Sequence, residues 1–115
     1  MTTLNQLTEA IVAFRDARDW KQFHTLKDMA LSLMLESAEV AELFQYKTEQ
    51  QSIEALPELR GDLGRELADV LYWVLLVAND AGIDLSKACA DKLAENEAKY
   101  PVERSRGKNT KYDKL

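Results

Sequence analysis

Turn-forming residues and cysteine are scarce in this chain. Its 115 residues include four glycines and two prolines, too few for an all-β fold with its many tight turns. Cys89 is the only cysteine, so no intrachain disulfide is possible, which fits a reducing compartment. No long hydrophobic run is present: the longest apolar stretch, Val70–Ala78, is too short to span a bilayer. The N-terminal segment MTTLNQLTEA lacks a basic stretch followed by an apolar one, so no signal peptide is expected. Together these absences predict a cytoplasmic protein with no membrane partner. With a single histidine, His24, no His-based metal cluster or His–Cys dyad is available.

What is present is charge. Acidic residues outnumber basic ones and the formal net charge is −5. Residues 101–115 carry five basic against two acidic side chains, a local net of +3, which leaves −8 for residues 1–100. An acidic body repels a nucleic-acid backbone, so no nucleic-acid partner is expected. A basic tail can still meet a small anion such as a triphosphate.

Apolar periodicity predicts four helices. Leu4, Leu7, Ile11 and Phe14 mark the first, over roughly residues 3–18. A loop with two large aromatics, Asp19–His24, follows. Thr25 can cap a second helix, running to about Lys47, with Asp28 in a box-like position. Residues 48–57 are polar and end in Pro57, which suits the first turn of a third helix over roughly 58–81, stopped by Gly82. Gly61 and Gly64 in its first turns can admit close approach by another group. Asp84 can cap a fourth helix that ends before Pro101. The expected fold is therefore all-α and four-helix-bundle-like, residues 1–100 forming the domain. The tail, residues 101–115, is expected to be disordered or ordered by docking. The segment LADVLYWVLLVA is apolar nearly all round, more than a small monomer can cover, so a dimer or a dimer of dimers is expected.

Two acidic pairs carry the chemistry. Glu36 and Glu39 are neighbours on one helical face, and the wheel sets Glu36 near Met29, Val40 and Leu43. Glu66 and Asp69 repeat the spacing on the third helix, Asp69 lying inside the apolar run with Trp73 one turn further on. Paired acids on a helix are usually a solvated face. Asp69 argues otherwise, because an acid in an apolar run is expected to be buried, and buried carboxylates need a countercharge. Basic residues on the two helices lie near the ends, so a cation fits better. An all-oxygen donor set selects magnesium, manganese or calcium over zinc, and magnesium characteristically combines a few carboxylates with substrate phosphates.

The pattern Glu36-Ser-Ala-Glu39 followed by Glu66-Leu-Ala-Asp69 resembles the MazG-like all-α nucleoside triphosphate pyrophosphohydrolases, most of all the branch of the mammalian dCTP pyrophosphatases. The stretches WKQFH (20–24), AELFQYK (41–47) and YPVERSRGKNTKY (100–112) extend the likeness over nearly the whole chain. The resemblance implies cleavage of a (d)NTP between the α and β phosphates to (d)NMP and pyrophosphate, a house-cleaning role in the dNTP pool. It implies Glu36, Glu39, Glu66 and Asp69 as ligands of Mg2+, with Mn2+ as a substitute. Glu39 is the candidate catalytic base for the attacking water. Trp20, Tyr46 and Trp73 are candidates to stack on a base, against the commoner reading of aromatics as core. His24 is by default a satisfied loop histidine, but its loop resembles one that lines the base pocket. Lys47 can interact with the carbonyls that end its helix or reach phosphate. Arg106, Lys108, Lys111 and Tyr112 resemble a segment that closes over the triphosphate. Ile11 departs from the cytosine-specific pattern, where the resemblance implies a histidine, so base preference does not carry over. The competing reading is a non-catalytic helical oligomerisation or nucleotide-binding module, in which the carboxylates are a solvated face.

Overall fold

A computed structural model describes all residues, Met1–Leu115. The all-α expectation holds: five α-helices and two single 3-10 turns, with no strand. The chain divides into two compact units, Met1–Gly82 and Ile83–Leu115.

The first unit contains α1 (Leu4–Asp16), α2 (Leu26–Glu42) and α3 (Glu49–Ala81). Each start is fixed by a threonine. Thr3 and Thr48 form reciprocal capping boxes with Gln6 and Gln51, and the Thr25 hydroxyl accepts from the Asp28 amide. Helix α3 is a correction to the sequence reading. It begins at Glu49, runs for 33 residues and contains Pro57 in its interior. Thr48-x-x-Gln51 satisfies the orphan amides of a start nine residues before the proline. Pro57 then withdraws only one hydrogen bond, that to the carbonyl of Ile53, an exposed residue. Gly82 ends α3 in the left-handed conformation, φ 69°, as the sequence predicts.

Helix α2 stops sooner than expected. Beyond Glu42 the amides of Leu43, Phe44 and Gln45 bond three residues back, and Tyr46 at φ 66° reverses the chain. Both α1 and α2 pack on α3, α2 most extensively. Met29 of α2 and Leu75, Leu76 and Ala78 of α3 are the fully buried apolar residues. Arg15 of α1 is buried beside them and paired with Asp80 of α3. Large apolar side chains stay exposed on both packed helices, among them Leu31, Met34 and Leu35 on α2 and Ile53 and Leu67 on α3. Gly61 and Gly64 meet no neighbouring atom within 4 Å of a built Cβ, so in the single chain they serve no close approach.

The second unit contains α4 (Leu85–Lys99) and the four-residue α5 (Val102–Ser105). The Asp84 carboxylate caps α4 by accepting from the Lys87 amide. The basic tail is ordered against its own helix: Tyr112 meets Tyr100 edge to face at 6.0 Å, and Lys99 Nζ lies 4.9 Å over the Tyr112 ring. No helix is long and apolar enough to cross a membrane.

Candidate metal centre and adjoining cavity

Helices α2 and α3 bring the two acidic pairs together. One carboxylate oxygen from each of Glu36, Glu39, Glu66 and Asp69 lies within 4.8 Å of all the others. Spacing of three on each helix puts each pair on one face, and the packing of α2 on α3 turns the faces toward each other. Burial within the cluster differs from the sequence reading. Glu36 and Glu66 are half-buried, whereas Asp69, expected to be buried, is exposed, as is Glu39. Of the run after Asp69 only Leu75, Leu76 and Ala78 are buried, and Asp69 itself opens onto a cavity.

No basic side chain pairs with the cluster. The Oε2 atoms of Glu36 and Glu66 are buried and have no hydrogen-bond partner. Burial, followed by hydrogen bonding to Glu39 and the charges of Glu39 and Asp69, pushes the Glu36 carboxyl above its ordinary value. Hydrogen bonding to Glu39 comes first in raising Glu66, followed by burial and the charges of Glu39, Asp69 and Glu36. Orphaned, buried acceptors crowded by like charge are compatible with a hard cation. The 4.8 Å span compares with the roughly 4.2 Å between opposite ligands of an octahedral Mg2+. The residues present therefore fit a divalent ion bound through oxygen.

A cavity of about 560 Å3 adjoins the cluster and shares Glu36 and Asp69 with it. Trp20, His24 and Trp73 line it, as do Leu7, Ile11, Phe14 and Tyr72. Its rings form one edge-to-face chain. Trp20 meets Phe14 at 5.7 Å, Phe14 meets Tyr72 at 6.4 Å, Tyr72 meets Trp73 at 5.0 Å, and Trp73 meets His24 at 5.1 Å. The Nδ1 atom of His24 is buried and lacks a partner. Burial, then the nearby Arg15 charge, lowers the His24 pKa, so its imidazole is neutral at neutral pH. An apolar, aromatic pocket with few polar atoms, set against an acidic metal centre, suits a ligand with a flat ring at one end and anionic oxygens at the other.

Tyr46 and Lys47 of the first unit do not line the cavity. Tyr46 is 95% exposed. Lys47 Nζ donates to the carbonyl of Leu43 at 3.0 Å, the helix-ending role weighed for it. Arg106, Lys108, Lys111 and Tyr112 belong to the second unit. There Arg106 and Gly107 (φ 74°) form the centre of a type II turn closed by the Lys108 amide on the Ser105 carbonyl. Sequence reasoning missed Leu7, Ala10, Phe14 and Tyr72 as cavity residues. The stripe Leu7–Ala10–Ile11–Phe14 was legible as a helix face, but the same pattern serves a packed core equally well.

The MazG-like family model matches residues 31–115. The chain belongs to the MazG-like family. This MazG-like chain is 36% identical to rat dCTP pyrophosphatase 1 over 98% of its own length and 68% of the relative's. The human dCTP pyrophosphatase 1 is 35% identical over the same shares. Among solved structures, a pyrophosphatase from Archaeoglobus fulgidus superposes with a TM-score of 0.82 at 34% identity, covering 88% of this chain and 94% of that one. The MazG-like assignment thus includes the acidic pairs of α2 and α3, since the matched residues contain all four carboxylates.

Proposed function

We propose that this MazG-like chain is a magnesium-dependent nucleotide pyrophosphohydrolase. It cleaves a (d)NTP between the α and β phosphates, giving (d)NMP and pyrophosphate, in the house-cleaning of the dNTP pool. One observation carries the reading: a cluster of four carboxylates with two buried, unpartnered oxygens opens onto an aromatic cavity through Glu36 and Asp69. The relative named dCTP pyrophosphatase 1 and the solved structure named a pyrophosphatase support the same chemistry.

A bound Mg2+ supplies charge neutralisation and an anchor for the triphosphate. The dry oxygens of Glu36 and Glu66 fix the ion-binding geometry, because they have no competing hydrogen bonds to give up. Asp69 and Glu39, both exposed, keep the face toward solvent and phosphate open. Glu39 lies within reach of the other three carboxylates and is the residue to accept the proton of the attacking water. Trp20, Trp73 and His24 hold the base in the cavity. Tyr46, Lys47, Arg106, Lys108, Lys111 and Tyr112 remain candidates for the substrate on the strength of the motif likeness, the basic ones because an acidic site needs countercharge to admit a tetraanion. The exposed apolar side chains of α2 and α3 support assembly as a homodimer or a dimer of dimers.

The test is a product assay across the four dNTPs and common modified dNTPs with Mg2+. Pyrophosphate and monophosphate are expected, with the activity lost in Glu39→Gln and Asp69→Asn while the helical content is unchanged. Orthophosphate as the product refutes α–β cleavage. Absence of any Mg2+-dependent nucleotide binding by calorimetry favours the non-catalytic module instead.

A further inference from the structure

The mechanism above makes no use of the one charged pair buried in the first unit. Arg15 is 1% exposed and donates through Nη1 and Nη2 to both carboxylate oxygens of Asp80, at 2.7 and 3.1 Å. The Asp80 side chain is 12% exposed and accepts a further bond from Asn79. We propose that the Arg15–Asp80 pair is the positioning device of the base pocket, setting the aromatic wall and thereby nucleotide affinity, with no part in turnover. This rests on the reading of the cavity as a base site.

Arg15 acts at both ends of that wall. Its own carbonyl accepts the amides of Arg18 and Trp20, each at 3.2 Å, so it organises the turn that delivers Trp20. That turn passes through Asp19 at φ 55°, a costly conformation for a residue with a side chain, secured by Gln22 Nε2 donating to the Asp19 carbonyl and carboxylate. The guanidinium meanwhile reaches Asp80, seven residues and two turns beyond Trp73 on the same face of α3. A single residue therefore ties, through its carbonyl, the turn carrying Trp20 and, through its guanidinium, the helix carrying Trp73. His24, which meets Trp73 at the far end of the chain of rings from Trp20, feels the charges of both Arg15 and Asp80. Holding the fold does not require such a pair. A buried ion pair is often no more stabilising than apolar residues of similar volume, whereas a bidentate fork fixes distance and angle.

The double variant Arg15→Met/Asp80→Leu separates positioning from fold support, because apolar replacement of both partners preserves packing. The measurements are thermal unfolding, kcat and KM for dCTP with Mg2+, and inhibition by inorganic tripolyphosphate, which has no base. A rise in KM of about tenfold, the loss of part of one base–aromatic contact, is expected, with kcat within about twofold and tripolyphosphate inhibition unchanged. An unchanged KM, or tripolyphosphate inhibition weakening in step with KM, overturns the proposal. Should the double variant fail to fold, Asp80→Glu retains the charges but shifts the fork, and a KM rise of about threefold supports positioning while none overturns it. If the wild type does not cleave dCTP, the proposed activity fails separately. Quenching of Trp20 and Trp73 fluorescence by dCMP then decides: weaker binding by Asp80→Glu supports positioning, and equal or absent binding in both proteins overturns it.

Discussion

Replacing Glu36 by glutamine should make the metal-free protein more stable and at the same time remove its stabilisation by magnesium. Glu36 has a buried, unpartnered oxygen and shares a 4.8 Å cluster with three other carboxylates. Two unit charges at that separation repel by about 1 kcal/mol in water and by about 3–4 kcal/mol at an effective dielectric constant near 20. The cluster is only half-buried and is screened by solvent and salt, so each of the three pairs that Glu36 makes contributes about half of the lower figure. Adding relief of the desolvation that leads the upward shift of Glu36, the gain is about 1–2 kcal/mol. For a domain of this size that is a rise of roughly 5–10 °C in Tm, measured in EDTA by circular dichroism. Saturating Mg2+, at about a hundredfold over its Kd, adds roughly 2.7 kcal/mol to the wild type. The variant should gain little, so the order of the two melting temperatures reverses on adding the ion. A variant that melts lower than the wild type in EDTA shows that the carboxylates are compensated within the fold. Equal Mg2+ responses in both proteins remove the cluster as the ion site.

Four further outcomes follow from the same geometry. Asp80→Asn leaves Arg15 buried without its partner and should cost about 3–5 kcal/mol in urea unfolding, while Asp80→Asn/Arg15→Met should recover most of it. Stability of the metal-free chain should pass through a maximum in mildly acid solution. Glu36 and Glu66 have raised folded-state pKa values, so the native state takes up their protons first and stability rises as pH falls from 7 toward the ordinary carboxyl value of 4.5. Asp80, held below its ordinary value chiefly by its hydrogen bond to Arg15, contributes stability above about pH 4 that is lost as pH falls through its folded value; a monotonic Tm profile between pH 7 and 3 contradicts this pairing. Gly61→Ala and Gly64→Ala should each stabilise α3 by about 0.5–1 kcal/mol in the isolated chain, and a loss of stability instead identifies a neighbouring subunit packed on those positions. Thr48→Ala removes a capping box and should cost about 1 kcal/mol, with amide exchange accelerated over residues 49–57 and not beyond.

The start of α3 was present in the sequence as Thr48-Glu-Gln-Gln51, a capping box, but Pro57 is the stronger single punctuation mark and drew the boundary to itself. A proline inside a 33-residue helix costs one hydrogen bond, and the remaining turns on both sides outweigh it. The end of α2 could not be read, because its shortening depends on Tyr46 adopting positive φ, which no local residue type demands. Spacing placed each acidic pair on one helix face, since i, i+3 residues share a face whatever the helix packs against, and the flanking motifs of the family resemblance singled the four out. Their burial was not legible: it depends on how α1 and α2 lie on α3, and this leaves Asp69 wet and Glu36 and Glu66 half-dry. The Arg15–Asp80 pair joins residues 65 apart in the chain, and neither sits in a motif that would call for the other.

The division of the carboxylates into dry and wet members bears on what the cluster can do. A cation held for structure alone is best enclosed, with every ligand buried and satisfied, because exchange with solvent then weakens nothing. Here Glu36 and Glu66 supply oxygens that no protein group competes for, while Glu39 and Asp69 face outward, and Asp69 shares the cavity with Trp73. Glu36 and Glu66 would hold the ion from the dry side, and the outward-facing Glu39 and Asp69 would leave the other side open to phosphate oxygens and water. The same asymmetry sets the roles of the four residues apart. Substituting Glu36 or Glu66 should chiefly weaken ion binding, read as a higher Mg2+ concentration for half-maximal activity with turnover largely restored at saturation. Substituting Glu39 should lower turnover at every Mg2+ concentration under the proposal that its carboxylate accepts the proton. If Mg2+ restores Glu39→Gln as fully as it restores Glu36→Gln, the proton acceptor lies elsewhere in the cluster, and Asp69 is the other exposed carboxylate.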